Sequence, residues 1–216
     1  MYAIFLLLIF AYFVYRHSQI IDHESLELPR RFGDRLSRLW DIAHHGMREN
    51  RFLRAEKALL TILKIDEKNA AAYNRLGILY AKQREYQDAI DCFEIASSIE
   101  PSASSLHNLG LIYYETENYE KAGTAFEQAL KLEDTLAARH IAYAKVQEKL
   151  GNDKLTLQEL EKAAALEPSA EMYNILIEAY ESRGMTHEAG VVRRKLSRMQ
   201  PEVKQKHISQ PRRVVI

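Results

Sequence analysis

Residues 70–101 read AAAYNRLGILYAKQREYQDAIDCFEIASSIEP, and this stretch decides the fold. Apolar residues recur every three or four positions over 73–82 and again over 86–99, which predicts two amphipathic helices. The polar residues 83–85 between them are too few for anything but a tight turn. Pro101 has no backbone N–H and cannot continue a helix interior, so the second helix should end before it. The stretch therefore predicts a helix–turn–helix hairpin.

Small residues occupy the places where the two helices of this hairpin would meet. Gly77 and Ala89 would let the backbones approach closely, and Leu76 and Phe93 would fill the space around that contact. A single hairpin cannot bury its apolar face alone and needs copies on either side. The same spacing should therefore recur elsewhere in the chain.

Similar spacing recurs through most of the sequence. The second and third copies follow the pattern closely, whereas the outer copies depart from it at single positions such as Gly46, Thr156 and Arg193. Weak terminal copies are expected of a stacked array. The predicted repeats are 36–69, 70–102, 103–136, 137–169 and 170–203.

This pattern resembles the tetratricopeptide repeat (TPR) family. The family has a large residue at position 4, Leu-Gly at 7 and 8, Tyr at 11, Ala at 20, a large residue at 24, Ala at 27 and Pro at 32. The matching residues are Tyr73, Leu76, Gly77, Tyr80, Ala89, Phe93, Ala96 and Pro101. The resemblance implies an all-α, right-handed TPR superhelical solenoid of about five repeats.

The resemblance also implies a binding groove. In a TPR array the first helix of each repeat lines the concave face, and positions 2, 5, 9 and 12 point into it. Carried over by position, the implied peptide-binding residues are Trp40, His44, Asn74, Ile78, His107, Leu111, Tyr114, Ile141, Lys145, Asn174 and Glu178, with Met47, Ala81, Glu148 and Glu181 at further groove positions. The groove would be aromatic and apolar in its first three repeats and charged in its last two.

The chemistry of this groove favours a particular kind of ligand. Lys and Arg are absent from positions 2 and 5 of every repeat, which argues against a clamp for a peptide carboxylate. A protein segment with apolar anchors fits better. In the alternative interpretation, Trp40 and Tyr114 only pack along helix edges.

The N-terminus has a different character. Residues 2–15 read YAIFLLLIFAYFVY, and a helix of that length spans about 21 Å of the roughly 30 Å hydrocarbon core. Continuation to residue 21 predicts one N-terminal transmembrane signal-anchor, 1–21, although a cleaved export signal and a buried helix are alternatives. Arg16, Arg30 and Arg31 follow the apolar run, so the repeats should lie in the cytoplasm, or in the periplasm if the segment is an export signal.

Two further segments flank the array. Residues 22–35 are predicted to be a juxtamembrane linker, because Pro29 disfavours helix before it. Residues 204–216 are predicted to be a flexible basic tail with little apolar periodicity. The tail would be a solvated end or a contact with membrane phosphates or an acidic partner.

The sequence contains no motif that is typical of an enzyme active site. We find no Gly-rich phosphate loop and no set of nucleophile, base and acid, so we expect no catalytic residue, metal or cofactor and no enzyme. A single cysteine, Cys92, suits packing and cannot form an intramolecular disulfide. The net charge is zero, so nucleic acid is not an expected partner.

These expectations combine into one functional hypothesis. The chain resembles membrane-tethered TPR scaffolds of bacterial envelope assembly, which implies an adaptor that binds protein or peptide segments in its groove. Alternatives are an exported periplasmic assembly factor with a cleaved signal and an enzyme.

Overall fold

The computed structural model describes residues 33–199, and every regular element in this range is a helix. The ten helices of that range are α1 (33–48), α2 (Phe52–Ile65), α3 (Ala70–Gln83), α4 (Tyr86–Ile99), α5 (Ala103–Glu115), α6 (Tyr119–Leu132), α7 (Ala137–Lys149), α8 (Asp153–Leu166), α9 (Ala170–Glu181) and α10 (Thr186–Met199). The all-α prediction is therefore confirmed for the described residues.

Consecutive helices pack as hairpins. Helix α3 packs against α4, α7 against α8, and α9 against α10, and the short turns between them make each pair antiparallel. Further contacts join α2 to α3, α6 to α7 and α8 to α9, so the hairpins stack on one another. One difference from the predicted limits is that α1 already includes residues 33–35, the last residues of the predicted linker. Asp34 in its first turn favours a helix start there.

The same backbone conformation closes every hairpin. The residue at position 15 of each repeat has a left-handed backbone, with φ between +57° and +74°: Asn50, Arg84, Glu117, Gly151 and Gly184. A left-handed residue ends a helix and turns the chain back towards its partner. Glycine adopts this conformation without a side-chain penalty, and Gly151 and Gly184 occupy this place in the fourth and fifth repeats.

The described helices divide into two compact units, with the boundary between Ile112 and Tyr113 inside α5. In the first unit, Phe93 is 1% exposed, and a Cβ built on Gly77 would lie 2.7–2.8 Å from its ring atoms. The ring therefore occupies the space that a side chain at position 77 would need. This contact confirms the close approach predicted from the small residues.

The second unit has an apolar core of its own. Phe126 is fully buried, and a cluster of buried residues from α7, α8, α9 and α10 includes Ala144, Leu160 and Leu176.

Tyrosines at position 11 tie neighbouring repeats together in both units. The Tyr80 hydroxyl donates to Glu56 Oε1 at 3.0 Å, and the Tyr180 hydroxyl donates to Glu161 Oε1 at 2.5 Å. Each glutamate lies on the second helix of the preceding repeat. Burial and the adjacent carboxylate raise the pKa of both tyrosines, so the hydroxyls stay protonated and keep donating.

Across residues 33–199 the chain forms no helix that combines the length and the apolar character needed to span a bilayer. The predicted signal-anchor (1–21), residues 22–32 of the predicted linker and the predicted tail (204–216) lie outside the described residues.

Candidate functional site

A groove lies between the first helices of the first two repeats, on the face where the sequence predicts binding. It has a volume of about 710 Å³ and is formed by α1 and α3; we call it the α1–α3 groove. Its lining residues are Asp41, His44, His45, Met47, Arg48, Arg75, Ile78 and Lys82. The predicted residues His44, Ile78 and Met47 therefore meet in one cavity.

Three cations border this groove against one acid. Arg48, Arg75 and Lys82 are exposed at its edge, whereas Ile78 is half-buried and Met47 is 7% exposed. Arg48 Nη2 lies 3.3 Å from His45 Nδ1. The other ring nitrogen of His45, Nε2, lies 2.8 Å from Glu49 Oε1. The groove thus combines an apolar floor with a basic border.

The other predicted residues of the first unit lie on α1, α3 and α5. The rings of Trp40 and His44 are 5.8 Å apart on α1. Asn108 donates to the Asn74 side chain at 3.5 Å, which joins α5 to α3. His107 is half-buried and Leu111 is 39% exposed, both on α5. Trp40 and Asn74 therefore contact neighbouring side chains, while Leu111 remains accessible.

In the second unit the predicted residues are more dispersed. Tyr114 packs edge-on against Tyr119 with ring centroids 5.6 Å apart, and Ile141 packs against the core. Lys145, Asn174 and Glu178 are exposed on α7 and α9. The packing alternative thus describes Tyr114 well, because its ring has an intramolecular partner.

The sequence interpretation missed the basic character of the α1–α3 groove. Asp41, His45, Arg48, Arg75 and Lys82 occupy positions 6, 10 and 13, one place after the positions carried over from the family. An apolar or binding stripe on a helix is commonly 100° wide or more, so adjacent positions share it. That width was the available signal, and it makes the predicted aromatic and apolar groove incomplete for the first two repeats.

Comparison with known families supports the interpretation of the repeats. Residues 70–102 match one family model described as Tetratricopeptide repeat, and residues 101–167 match a second with the same description. Residues 70–167 are tetratricopeptide repeats. No protein of the curated set matches this chain in sequence.

Solved structures with the same fold extend beyond these TPR repeats. A crystal structure of MamA protein aligns with a TM-score of 0.67 at 23% identity, over 77% of this chain and 92% of that one. MamA from Desulfovibrio magneticus RS-1 gives 0.67 at 16% identity, over 77% and 97%. YrrB, described as a TPR protein with an unusual peptide-binding site, gives 0.62 at 20% identity, over 74% and 84%. At these identities the likeness concerns the fold.

The fourth TPR repeat contains a buried ionic cluster. His140 and Glu159 are 4% and 3% exposed, and His140 Nδ1 lies 2.6 Å from Glu159 Oε2. His140 Nε2 lies 2.8 Å from the Asp134 carbonyl, and Lys162 Nζ lies 2.7 Å from the second oxygen of Glu159. Both ring nitrogens of His140 therefore lie at hydrogen-bond distance from oxygen atoms. Positions 4 and 23 of this repeat thus hold a buried histidine–carboxylate pair.

The single thiol, Cys92, is buried. Burial raises the pKa of the Cys92 thiol to about 11, with a further contribution from Asp88 and Asp91. A thiol with this pKa is almost entirely protonated near neutral pH and is a poor nucleophile. In the part of the chain that the structure describes, no three His, Cys, Asp or Glu side chains are placed to hold a metal ion.

Proposed function

We propose that this TPR protein is a membrane-tethered scaffold that binds acidic protein segments with an apolar anchor in its α1–α3 groove. The single observation that carries the proposal is the composition of that groove, where Arg48, Arg75 and Lys82 border the apolar surface of Ile78 and Met47. An apolar side chain of the ligand would contact Ile78, and neighbouring carboxylates would pair with the cations.

The electrostatics of the groove support this ligand class. Charged residues at the border of an interface chiefly set the association rate and the choice of partner, while desolvated apolar contacts supply most of the affinity. An acidic segment meets favourable charge at three points, and a basic segment would meet repulsion at the same points. The border therefore provides selectivity that a purely aromatic groove would lack.

The tether in this proposal depends on the sequence of residues 2–21. Their uncharged apolar run and the arginines that follow favour a single-pass anchor with the repeats in the cytoplasm. A tether raises the local concentration of the groove at the membrane without requiring tight contacts. Mass spectrometry of the native N-terminus distinguishes it from the alternative of an exported factor, because a cleaved signal would leave a shortened chain.

Site-specific photocrosslinking in cells tests where the ligand binds. A photoreactive amino acid replacing Ile78 lies in the groove, whereas one replacing Ile95 lies on the exposed surface of the second helix α4. We expect defined adducts from position 78 and none of the same size from position 95. Equal adducts from both positions would contradict a groove-specific ligand.

Charge reversal tests the ligand chemistry. Arg75→Glu with Lys82→Glu should abolish the adducts at position 78, because the reversed border repels an acidic segment. The matched control is Lys64→Glu with Lys68→Glu, which changes the net charge equally at two exposed sites near the end of α2. The control should retain the adducts. Loss in both variants would show only a general charge effect.

A further inference from the structure

The first hairpin has a second accessible surface, which we call the α1–α2 face. Leu39 and Ile42 from α1 and Phe52 and Leu53 from α2 form its apolar part, around a cavity of about 850 Å³. Leu53 is 65% exposed, and Leu39, Ile42 and Phe52 are half-buried. This is an unusually accessible apolar surface for a repeat whose other side is packed.

Cations surround this apolar surface. Arg51, Arg54 and Lys57 line the same cavity, and all three are exposed. Arg51 pairs with Glu49 at 3.2 Å, while Glu56 is engaged by the Tyr80 hydroxyl on the packed side of α2. The surface therefore presents the exposed Leu53 and the half-buried Phe52 within a border of positive charge.

The face lies at the N-terminal end of the described array. Helix α2 packs against α3 on its other side, so a preceding repeat is what would cover the α1–α2 face in a longer stack. Terminal repeats of stacked arrays need a polar outer face. The last described helix meets that need with exposed Arg193, Arg194 and Lys195, whereas the first hairpin exposes apolar side chains. That contrast points to a ligand for the α1–α2 face.

We propose that the α1–α2 face docks on the surface of an anionic lipid bilayer. Leu53 and Phe52 insert at the level of the acyl boundary, and Arg51, Arg54 and Lys57 contact lipid phosphates. An apolar surface with a basic border is the arrangement that binds peripherally to anionic membranes. This inference rests on the tether of the proposed function, because the tether places the first hairpin beside the bilayer.

The length of chain before α1 is compatible with this contact. The predicted anchor ends at residue 21 and α1 is already helical at residue 33, so residues 22–32 link them. Eleven residues reach about 40 Å at most when fully extended. The face is therefore confined to a short distance from the headgroups, where a weak contact becomes effectively intramolecular.

The test places an environment-sensitive fluorophore at position 53 of the full chain. Leu53→Cys is labelled in a Cys92→Ala background, and the protein is reconstituted into nanodiscs of zwitterionic lipid or of lipid containing a third phosphatidylserine. We expect a blue shift and quenching by doxyl-labelled lipid only with the anionic composition. A matched label at Leu132→Cys, on the exposed surface of α6, should give the same spectrum in both compositions.

A charge variant separates lipid binding from simple burial of the label. Arg54→Gln with Lys57→Gln should reduce the quenching at position 53 at least threefold, because two phosphate contacts are lost. Lys149→Gln with Lys154→Gln, at two exposed sites of the fourth repeat, should leave it unchanged. Equal quenching in the charge variant would overturn the proposal.

Other occupants of the face give different results. If residues 22–28 of this chain or a second copy cover it, the blue shift appears in detergent and in both nanodiscs alike, and the proposal fails.

Carbonate extraction tests the tether separately. If the chain is extracted, the labelled full chain is added to anionic vesicles instead, and the absence of a shift there overturns the docking. Photocrosslinking at position 78 does not depend on that result, so ligand binding in the α1–α3 groove is tested independently of membrane docking.

Discussion

The second and fourth repeats form the same hairpin with opposite kinds of interior. In the second repeat, positions 4 and 23 hold Tyr73 and Cys92, and Phe93 is buried among apolar residues. In the fourth repeat the same two positions hold His140 and Glu159, which are buried and joined at 2.6 Å. Among residues 33–199, the buried polar and charged side chains other than Ser105 all belong to the fourth repeat: Arg139, His140, Gln147, Thr156 and Glu159.

This difference shows which positions specify the hairpin and which only fill it. Both repeats keep a left-handed residue at position 15 and a fully buried alanine at position 27, Ala96 and Ala163. Positions 4 and 23 accept either tyrosine and cysteine or a buried histidine–carboxylate pair. The buried pair is compatible with folding because each of its polar atoms has a hydrogen-bond partner, and a buried polar network that is only partly satisfied is destabilising.

Removing one member of the His140–Glu159 pair should have the largest effect. Glu159→Ala leaves the buried His140 Nδ1 without its carboxylate partner, and a buried polar group left unsatisfied costs about 1–3 kcal/mol. We expect the upper end, about 3 kcal/mol, because Glu159 also accepts from Lys162, while water entering the cavity of about 460 Å³ beside His140 and Glu159 should keep the cost from rising further. Urea denaturation followed by circular dichroism measures the change.

The control for this variant is Glu127→Ala. Glu127 pairs with Lys131 on the exposed surface of α6, at 2.7 Å, and exposed pairs of this kind contribute little. Its midpoint should shift only slightly. A similar loss in both variants would mean that burial does not distinguish the two ion pairs.

Exchanging both members of the pair should cost much less than removing one. His140→Tyr with Glu159→Cys gives the fourth repeat the residues that the second has at positions 4 and 23. Replacing a whole buried ion pair by packed apolar residues is often neutral or stabilising. We expect the double variant to lie within about 1.5 kcal/mol of the parent. If it is as unstable as Glu159→Ala, the two interiors are not interchangeable and the comparison fails.

Much of the fold was accessible from the sequence because its determinants are local and periodic. The close approach at Gly77, the buried Phe93 and the left-handed Gly151 and Gly184 all follow from spacing. The left-handed backbone of Arg84 has no compositional signal, since arginine does not favour that conformation. The only signal for the left-handed backbone of Arg84 is its position in the repeat, which it shares with the two glycines.

The chemistry of the interior and of the groove was less accessible. His140 and Glu159 are 19 residues apart, and the pattern gives no reason to pair positions 4 and 23 until the hairpin geometry is known. Arg75 and Lys82 were missed because each lies one residue after a groove position of the family, and only the family positions themselves were included in the predicted groove. The right-handed superhelix and the signal-anchor remain predictions.

Position 8 provides an intermediate effect. The second repeat combines Gly77 with Phe93 at positions 8 and 24, whereas the fourth combines Ala144 with Leu160. Because a Cβ at position 77 would lie 2.7 Å from the Phe93 ring, Gly77→Ala should destabilise by about 1–2 kcal/mol despite the higher helix propensity of alanine. Thermal unfolding of the purified protein would measure it.

A compensating substitution sharpens this test. Gly77→Ala with Phe93→Leu reproduces the combination of the fourth repeat and should be more stable than the sum of the two single changes. Gly123→Ala on α6 is the matched control, because its added Cβ would meet neighbours at an ordinary 3.6 Å. Additive energies for the position 77 and 93 changes would show that the two residues do not share one space.

The turn at position 15 should give the smallest effect, and its sign differs between the two repeats. Arg84 has φ +64° in the second repeat, and Gly151 has φ +74° in the fourth. Because a side chain makes this conformation less favourable, Arg84→Gly should stabilise by about 0.5–1 kcal/mol and Gly151→Ala should destabilise by a similar amount. The glycine gain is limited by the extra entropy that glycine adds to the unfolded chain. Opposite shifts in the unfolding midpoint would establish that the two repeats share a backbone conformation at this turn and not a residue type. Shifts of the same sign would exclude that conclusion.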